Sequence, residues 1–402
     1  MSVGTAFYPR TAPLNSKLQW REWSGYLAAS AYSDSHEIEY NAIREAAALI
    51  DVSPLYKYLV TGPDAQRLVD RVITRDASKL AVGRVYYTSW CNEDGLVVDD
   101  GTVARLDEST YRWTAADPSL RWFRMNARGL DVELEDVSER ISALAVQGPL
   151  SRDVLEAATG AEWGDLGYFG RRAGEVGGIA VDVSRTGYTG DLGYEVWVEN
   201  EHALEIWDAF VRAGSPYGIR PAGMLALDIA RIEAGLILIE VDFDSVRRAL
   251  IAEQSYSPFE LGILGRFVDF EKEAEFVGRR ALELEQARGG PPRRLVGLEL
   301  EWEPLEELYR TKGLTPTLDP AASRVPVPLY ARGRQVGKAT STTWSPTLKK
   351  VVALASVAAS HSALGTKLEV EWTVEARRSR TPATVVETPF FDPPRKTAKV
   401  AA

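Results

Sequence analysis

The chain has 402 residues, 45% of them hydrophobic, which is enough to build two or three domains rather than one. A formal net charge of −10 argues against the broad basic face that nucleic-acid binding needs, so no nucleic acid is expected as a partner. A single cysteine, Cys91, rules out an internal disulfide and a Cys-rich zinc site, while the opening residues and the absence of a long apolar run predict a cytoplasmic protein with no membrane partner.

Two segments share a design. Tyr58 to Ala65 and Ala143 to Leu150 each run from an apolar strand into Gly-Pro, and Leu68, Val69 and Val72, then Val154 and Leu155, follow at helical spacing. Proline suits a first helical turn because its missing N–H would be unpaired there anyway. The recurrence suggests two related α+β lobes. Alternating patterns predict antiparallel strands at 84–88, 95–99, 110–114 and 194–198. Helical spacing at 203–211 and 226–232 puts Arg231 and Glu233 near a helix end before Gly235. The stretch Gly289 to Arg294 reads as a linker. Beyond it, short strands at 295–300, 327–330, 333–343, 351–357 and 368–372 predict a small all-β barrel, with a frayed tail from Lys396 to Ala402.

The three histidines, His36, His202 and His361, sit in no nucleophile or metal motif, and no Gly-rich phosphate loop is present. Hydrolase and metalloenzyme chemistry are therefore not expected. Two polar constellations remain. Trp90 to Gly101 forms a hairpin whose outgoing strand ends in Asp99 and Asp100, and strand alternation allows only one of the two to face a site. Both also read as turn residues before Gly101. In the second constellation, Ser184 to Trp197, three glycines lead into a strand carrying Glu195. A carboxylate there needs a partner. A ligand with two adjacent N–H donors would satisfy it, and so would a salt bridge to an arginine such as Arg231.

In these segments the sequence resembles the glycine cleavage T-protein family. Arg185 to Glu195 matches the family's Arg-Thr-Gly-Tyr-Thr-Gly-(Glu/Asp)-x-Gly-(Phe/Tyr)-Glu stretch, and Gly95 to Asp100 matches its Gly-Gly-x-x-Asp-Asp turn apart from Leu96. Asp51-Val52-Ser53, Val146 to Pro149, Arg231 to Gly235, Phe276 to Arg279 and Thr340-Ser341 follow in the family's order.

The resemblance implies an α+β, three-domain cloverleaf: residues 1–50 plus 140–288 in one α+β lobe, 51–139 in a second, and 289–402 in a C-terminal β-barrel. It implies tetrahydrofolate in the central opening, with Glu195 on the pterin, Asp99 beside the folate nitrogens as the catalytic group, and Tyr188 and Arg231 around the same cavity. Trp90, preceding the hairpin, is the candidate wall for the second substrate.

Departures from the T-protein pattern bear on the reaction. Asp51-Val52-Ser53-Pro54-Leu55 lacks the family's His-Met, and Leu227-Asp228 replaces an Arg-Asp pair, which argues against contact with a lipoyl carrier protein. Val98 to Leu106, Trp344-Ser345-Pro346 and Pro389 to Pro393 are similar instead to folate domains of sarcosine and dimethylglycine oxidases and of folate-dependent demethylases. The expected activity is transfer of a methyl group from a small O-, N- or S-methylated donor to N5 of tetrahydrofolate. The alternatives are glycine-cleavage aminomethyl transfer and a non-catalytic folate-binding role. Iron–sulfur assembly relatives of the last kind carry a Lys-Gly-Cys-Tyr motif, and Tyr256 to Glu260 has no cysteine.

Overall fold

In a computed structural model that describes residues 2–399, Gly62 and Gly148 hold nearly the same backbone conformation, with φ of +118° and +125°. A Cβ at either position would lie 2.7 Å from a carbonyl oxygen, that of Asp131 or of Ala46, so only glycine lets the chain turn there. Each glycine joins a strand, Tyr56–Thr61 or Ile141–Gln147, to a helix, Ala65–Val72 or Ser151–Thr159. The two lobes thus share a strand, a turn and a helix.

In the first lobe, Ile141–Gln147 is paired with Gly193–Glu199 on one side and Ala48–Asp51 on the other, inside a six-stranded sheet that is antiparallel except at the short strand Arg220–Pro221. Alternation puts Leu144 and Val146 on one face, against helices Ser151–Thr159 and Ala203–Gly214. Ala143, Ala145 and Trp197 face the other way, toward Tyr40, Ile43 and Ile229 and toward barrel residues Val352 and Leu354. The sheet is buried on both sides.

The second lobe is a five-stranded antiparallel sheet over 56–136, whose core gathers Trp90, Trp113 and Phe123 under helix Ala65–Val72. The expected lobe 140–288 needs a change at its far end. Ile237, Phe243, Tyr256, Leu264, Phe276 and Leu282 pack on Cys91 and Val97, so much of the segment 237–287 belongs with the second sheet.

A closed six-stranded barrel follows. It has one strand more than the sequence suggests, Arg377–Val386, whose alternation is masked by the exposed Arg377, Arg378 and Arg380 at its start and by Pro382. Its first strand begins at Arg293, inside the expected linker, and Arg293 is fixed by Glu260 at 2.8 Å.

The tail is not frayed as far as Ala398. Arg185 Nη2 donates to the carbonyls of Arg395, Lys396 and Ala398 at 3.1, 3.1 and 2.8 Å, and Arg395 makes a two-point pair with Asp191 at 2.7 and 2.8 Å. The remainder of the expected tail, 400–402, lies outside the described residues. Among the described residues, no helix is long and apolar enough to cross a membrane.

Candidate functional site

One cavity of about 1310 Å³ opens where the three parts meet. Thr186, Tyr188 and Glu195 line it from the first lobe, Tyr87 and Asp100 from the second, and Arg324 from the connection between the barrel's first two strands.

Glu195 is opposite Ser184 in the strand ladder and half-buried. Its Oε2 accepts from Thr186 Oγ1 at 2.5 Å. Burial raises its pKa, opposed by the Thr186 hydrogen bond, by the charge of Arg112 and by the hydroxyl of Ser184. The loop beneath it is organised by Gln147, whose amide donates to Thr186 O and Tyr194 O and accepts from Thr189 Oγ1. A Cβ at Gly187 or Gly193 would come within 2.0 or 2.3 Å of that amide, which explains both glycines. In the sequence Gln147 stands within the Val146 to Pro149 segment shared with the family, but nothing there assigns it this role.

The alternative pairing of Glu195 with Arg231 does not form. Arg231 is fully buried, bonded to Asp242 Oδ2 at 2.6 Å and to Ser341 Oγ at 2.9 Å. It does not line the cavity. Instead it fixes the 236–242 segment that forms one cavity wall, where Tyr188 Oη donates to Ile237 O.

Register decides the two aspartates. Trp90 is opposite Asp99 and Ser89 opposite Asp100, with an irregularity between Trp90 and Cys91. Asp99 is fully buried and accepts the amides of Asp100 at 2.8 Å and Asp117 at 2.9 Å, so it closes a turn and does not line the cavity. Asp100 does, and accepts from Tyr87 Oη at 2.5 Å. Burial pushes the Asp100 carboxyl up to about 6, and the Tyr87 hydrogen bond opposes that rise. Trp90 shares the face of Asp99. It is fully buried with its ring centroid 5.4 Å from that of Trp113, so it is a core residue and not a substrate wall.

Three histidines and one cysteine contribute nothing to the cavity: none lines it, and His36 Nε2 lies 2.8 Å from Pro320 O. No group of three or more His, Cys, Asp or Glu among the described residues is arranged to hold a metal.

Carboxylates from two lobes, Glu195 and Asp100 among them, thus face one large cavity beneath a barrel. The GCVT N-terminal domain family matches residues 8–272, and the Glycine cleavage T-protein C-terminal barrel domain family matches 293–392. The chain belongs to the glycine cleavage T-protein family, whose enzymes are tetrahydrofolate-dependent one-carbon transferases.

Among its relatives, an aminomethyltransferase of Symbiobacterium thermophilum is 38% identical over 93% of this chain and 94% of that protein. An aminomethyltransferase of Bacillus pumilus is 35% identical over 92% and 93%. A trimethylamine-oxide aldolase of Ruegeria pomeroyi is 36% identical over 98% of this chain, which spans only 47% of that protein. The fold is similar to that of the crystal structure of glycine cleavage system aminomethyltransferase T from Bartonella henselae, with a TM-score of 0.81 at 22% identity over 98% and 99% of the two chains.

Proposed function

We propose that this chain transfers a methyl group from a small O-, N- or S-methylated donor to N5 of tetrahydrofolate. The observation that carries the reading is the placing of two of the cavity's carboxylates, Glu195 and Asp100, on separate sheets and each held by a hydroxyl donor. The Glu195 carboxylate lines the cavity with Oε2 oriented by Thr186, and its two oxygens fit the adjacent N–H and amino donors of a pterin. The cavity exceeds the roughly 300–1,000 Å³ usual for one small ligand, consistent with room for donor and acceptor together.

When bound, tetrahydrofolate supplies the nucleophilic nitrogen. Asp100, with a pKa near working pH, accepts the proton released there, and Tyr87 holds that carboxylate in place. Glu195 fixes the ring edge so that donor and acceptor meet in line, where most of the rate gain of such a displacement arises. An onium donor leaves as a neutral molecule and needs no acid. A methyl ether also needs a proton on its departing oxygen.

The second reading, aminomethyl transfer from a lipoyl carrier, is favoured by the aminomethyltransferases that match along nearly their whole length. One experiment separates the two. The purified chain is incubated with tetrahydrofolate and panels of methoxyarenes, betaines, sulfonium compounds and methylamines. Formation of 5-methyltetrahydrofolate supports methyl transfer; methylenetetrahydrofolate formed only with an aminomethyl-lipoyl carrier supports the second reading.

A further inference from the structure

Asp228 lies on helix Met224–Glu233, its side chain 3% exposed, and it collects more positive charge than one carboxylate needs. Arg324 grips it with Nε at 2.9 Å and Nη2 at 2.8 Å, and Arg21 Nη1 joins at 2.9 Å. Arg231 Nε stands 3.6 Å away, but Arg231 is already balanced by Asp242. One aspartate therefore fixes two arginines brought from residues 21 and 324, and a positive charge is left over.

Both arginines line the cavity with side chains about a third exposed, 31% and 30%. Only one edge of each guanidinium is used: Arg21 Nε and Nη2 and Arg324 Nη1 have no protein acceptor among the described residues. A guanidinium edge matches a carboxylate in shape and charge. Ordering such long side chains normally opposes binding, but Asp228 has already ordered them.

We propose that Arg21 and Arg324 form a seat for a carboxylate in the cavity wall. The inference rests on the folate-transferase reading, under which that group has two possible sources. It belongs to the methyl donor, making the donor a methylated amine or sulfonium compound with an acid end, or to the glutamate tail of tetrahydrofolate.

Calorimetric titration of the full chain with two matched pairs tests this: N,N-dimethylglycine against N,N-dimethylethanolamine, and tetrahydrofolate against its glutamate diamide, in which both tail carboxylates are neutral. In at least one pair the acid binds about tenfold tighter or more, the scale of a charge-assisted hydrogen bond, and Arg324→Gln or Arg21→Gln removes that preference. Preference for dimethylglycine assigns the seat to the donor, and preference for tetrahydrofolate assigns it to the glutamate tail. No preference in either pair, or a preference that survives both substitutions, overturns the seat. If Arg324→Gln does not fold, Arg324→Lys keeps the charge, loses the planar fork and is read in the same way. Failure of tetrahydrofolate and its glutamate diamide alike to bind the unaltered chain sinks the folate reading itself, while the dimethylglycine pair still tests the seat.

Discussion

Tyr87 and Asp100 stand on neighbouring strands of the second lobe, and the phenol donates to the carboxylate across the cavity face at 2.5 Å. This bond ties a group with a pKa of about 6 to a tyrosine that burial and the nearby Asp100 charge hold well above its usual range, so the tyrosine stays protonated as donor.

Asp100→Asn is expected to lower kcat by about 10²–10⁴-fold, the range for a lost acid–base group, with a smaller change in KM. Rate measurements on Asp99→Asn complete the test. Asp99 serves the turn at Asp117, so its substitution should lower Tm first; an equal kcat loss with unchanged Tm would return the catalytic role to Asp99.

As a base, Asp100 must be ionised. The rate of the unaltered enzyme should rise with pH through about 6, and the rise should vanish in Asp100→Asn. Stability runs the opposite way. Because the folded pKa is raised, the folded state binds the extra proton between about 4 and 6, so this contribution is complete below about 4 and lost as pH climbs through 6. Melting curves of the unaltered chain and Asp100→Asn across that window check the sign.

Glu195→Ala should weaken tetrahydrofolate binding by roughly tenfold or more, the scale of hydrogen bonds to a charged acceptor. Equilibrium titration gives the answer directly, and unchanged affinity would remove Glu195 from the pterin site.

Trp90→Ala empties a core position and should cost about 3–5 kcal/mol of stability. Denaturant unfolding measures the loss. A donor-specific rise in KM without destabilisation would restore Trp90 as a substrate contact.

Arg231→Met leaves Asp242 buried without its cation, a loss of about 3–5 kcal/mol. Because Arg231 acts through the 236–242 wall, the double change Arg231→Met with Asp242→Leu should recover part of that loss in Tm, whereas direct contact with folate predicts no such recovery of folate affinity.

Much of this architecture was legible locally. Gly-Pro after an apolar strand marks both lobe centres, and the glycines before Glu195 announce a loop pressed against something, which proves to be Gln147 as well as the cavity. The choice between Asp99 and Asp100 was not legible. The irregularity at Trp90 and Cys91 changes the pairing beside that hairpin, and nothing in the sequence shows it. Trp90 was misplaced for the same reason, since it shares the face of Asp99. Arg231 carries no local sign of Asp242, which meets it through a turn beyond the helix. Arg21, Asp228 and Arg324 assemble only in three dimensions, from segments separated by 207 and 96 positions.

The clamp of Arg185 and Asp191 on residues 395–398 bears on how substrates come and go. The barrel is held where it starts, by Arg293 on Glu260, and again where the chain leaves it, by Arg395 on Asp191. A body moored fore and aft cannot swing clear as a hinged cover without first tearing charged pairs apart. Any such swing would have to break both pairs, so the cavity walls beside the barrel are tied in position at both ends of its chain.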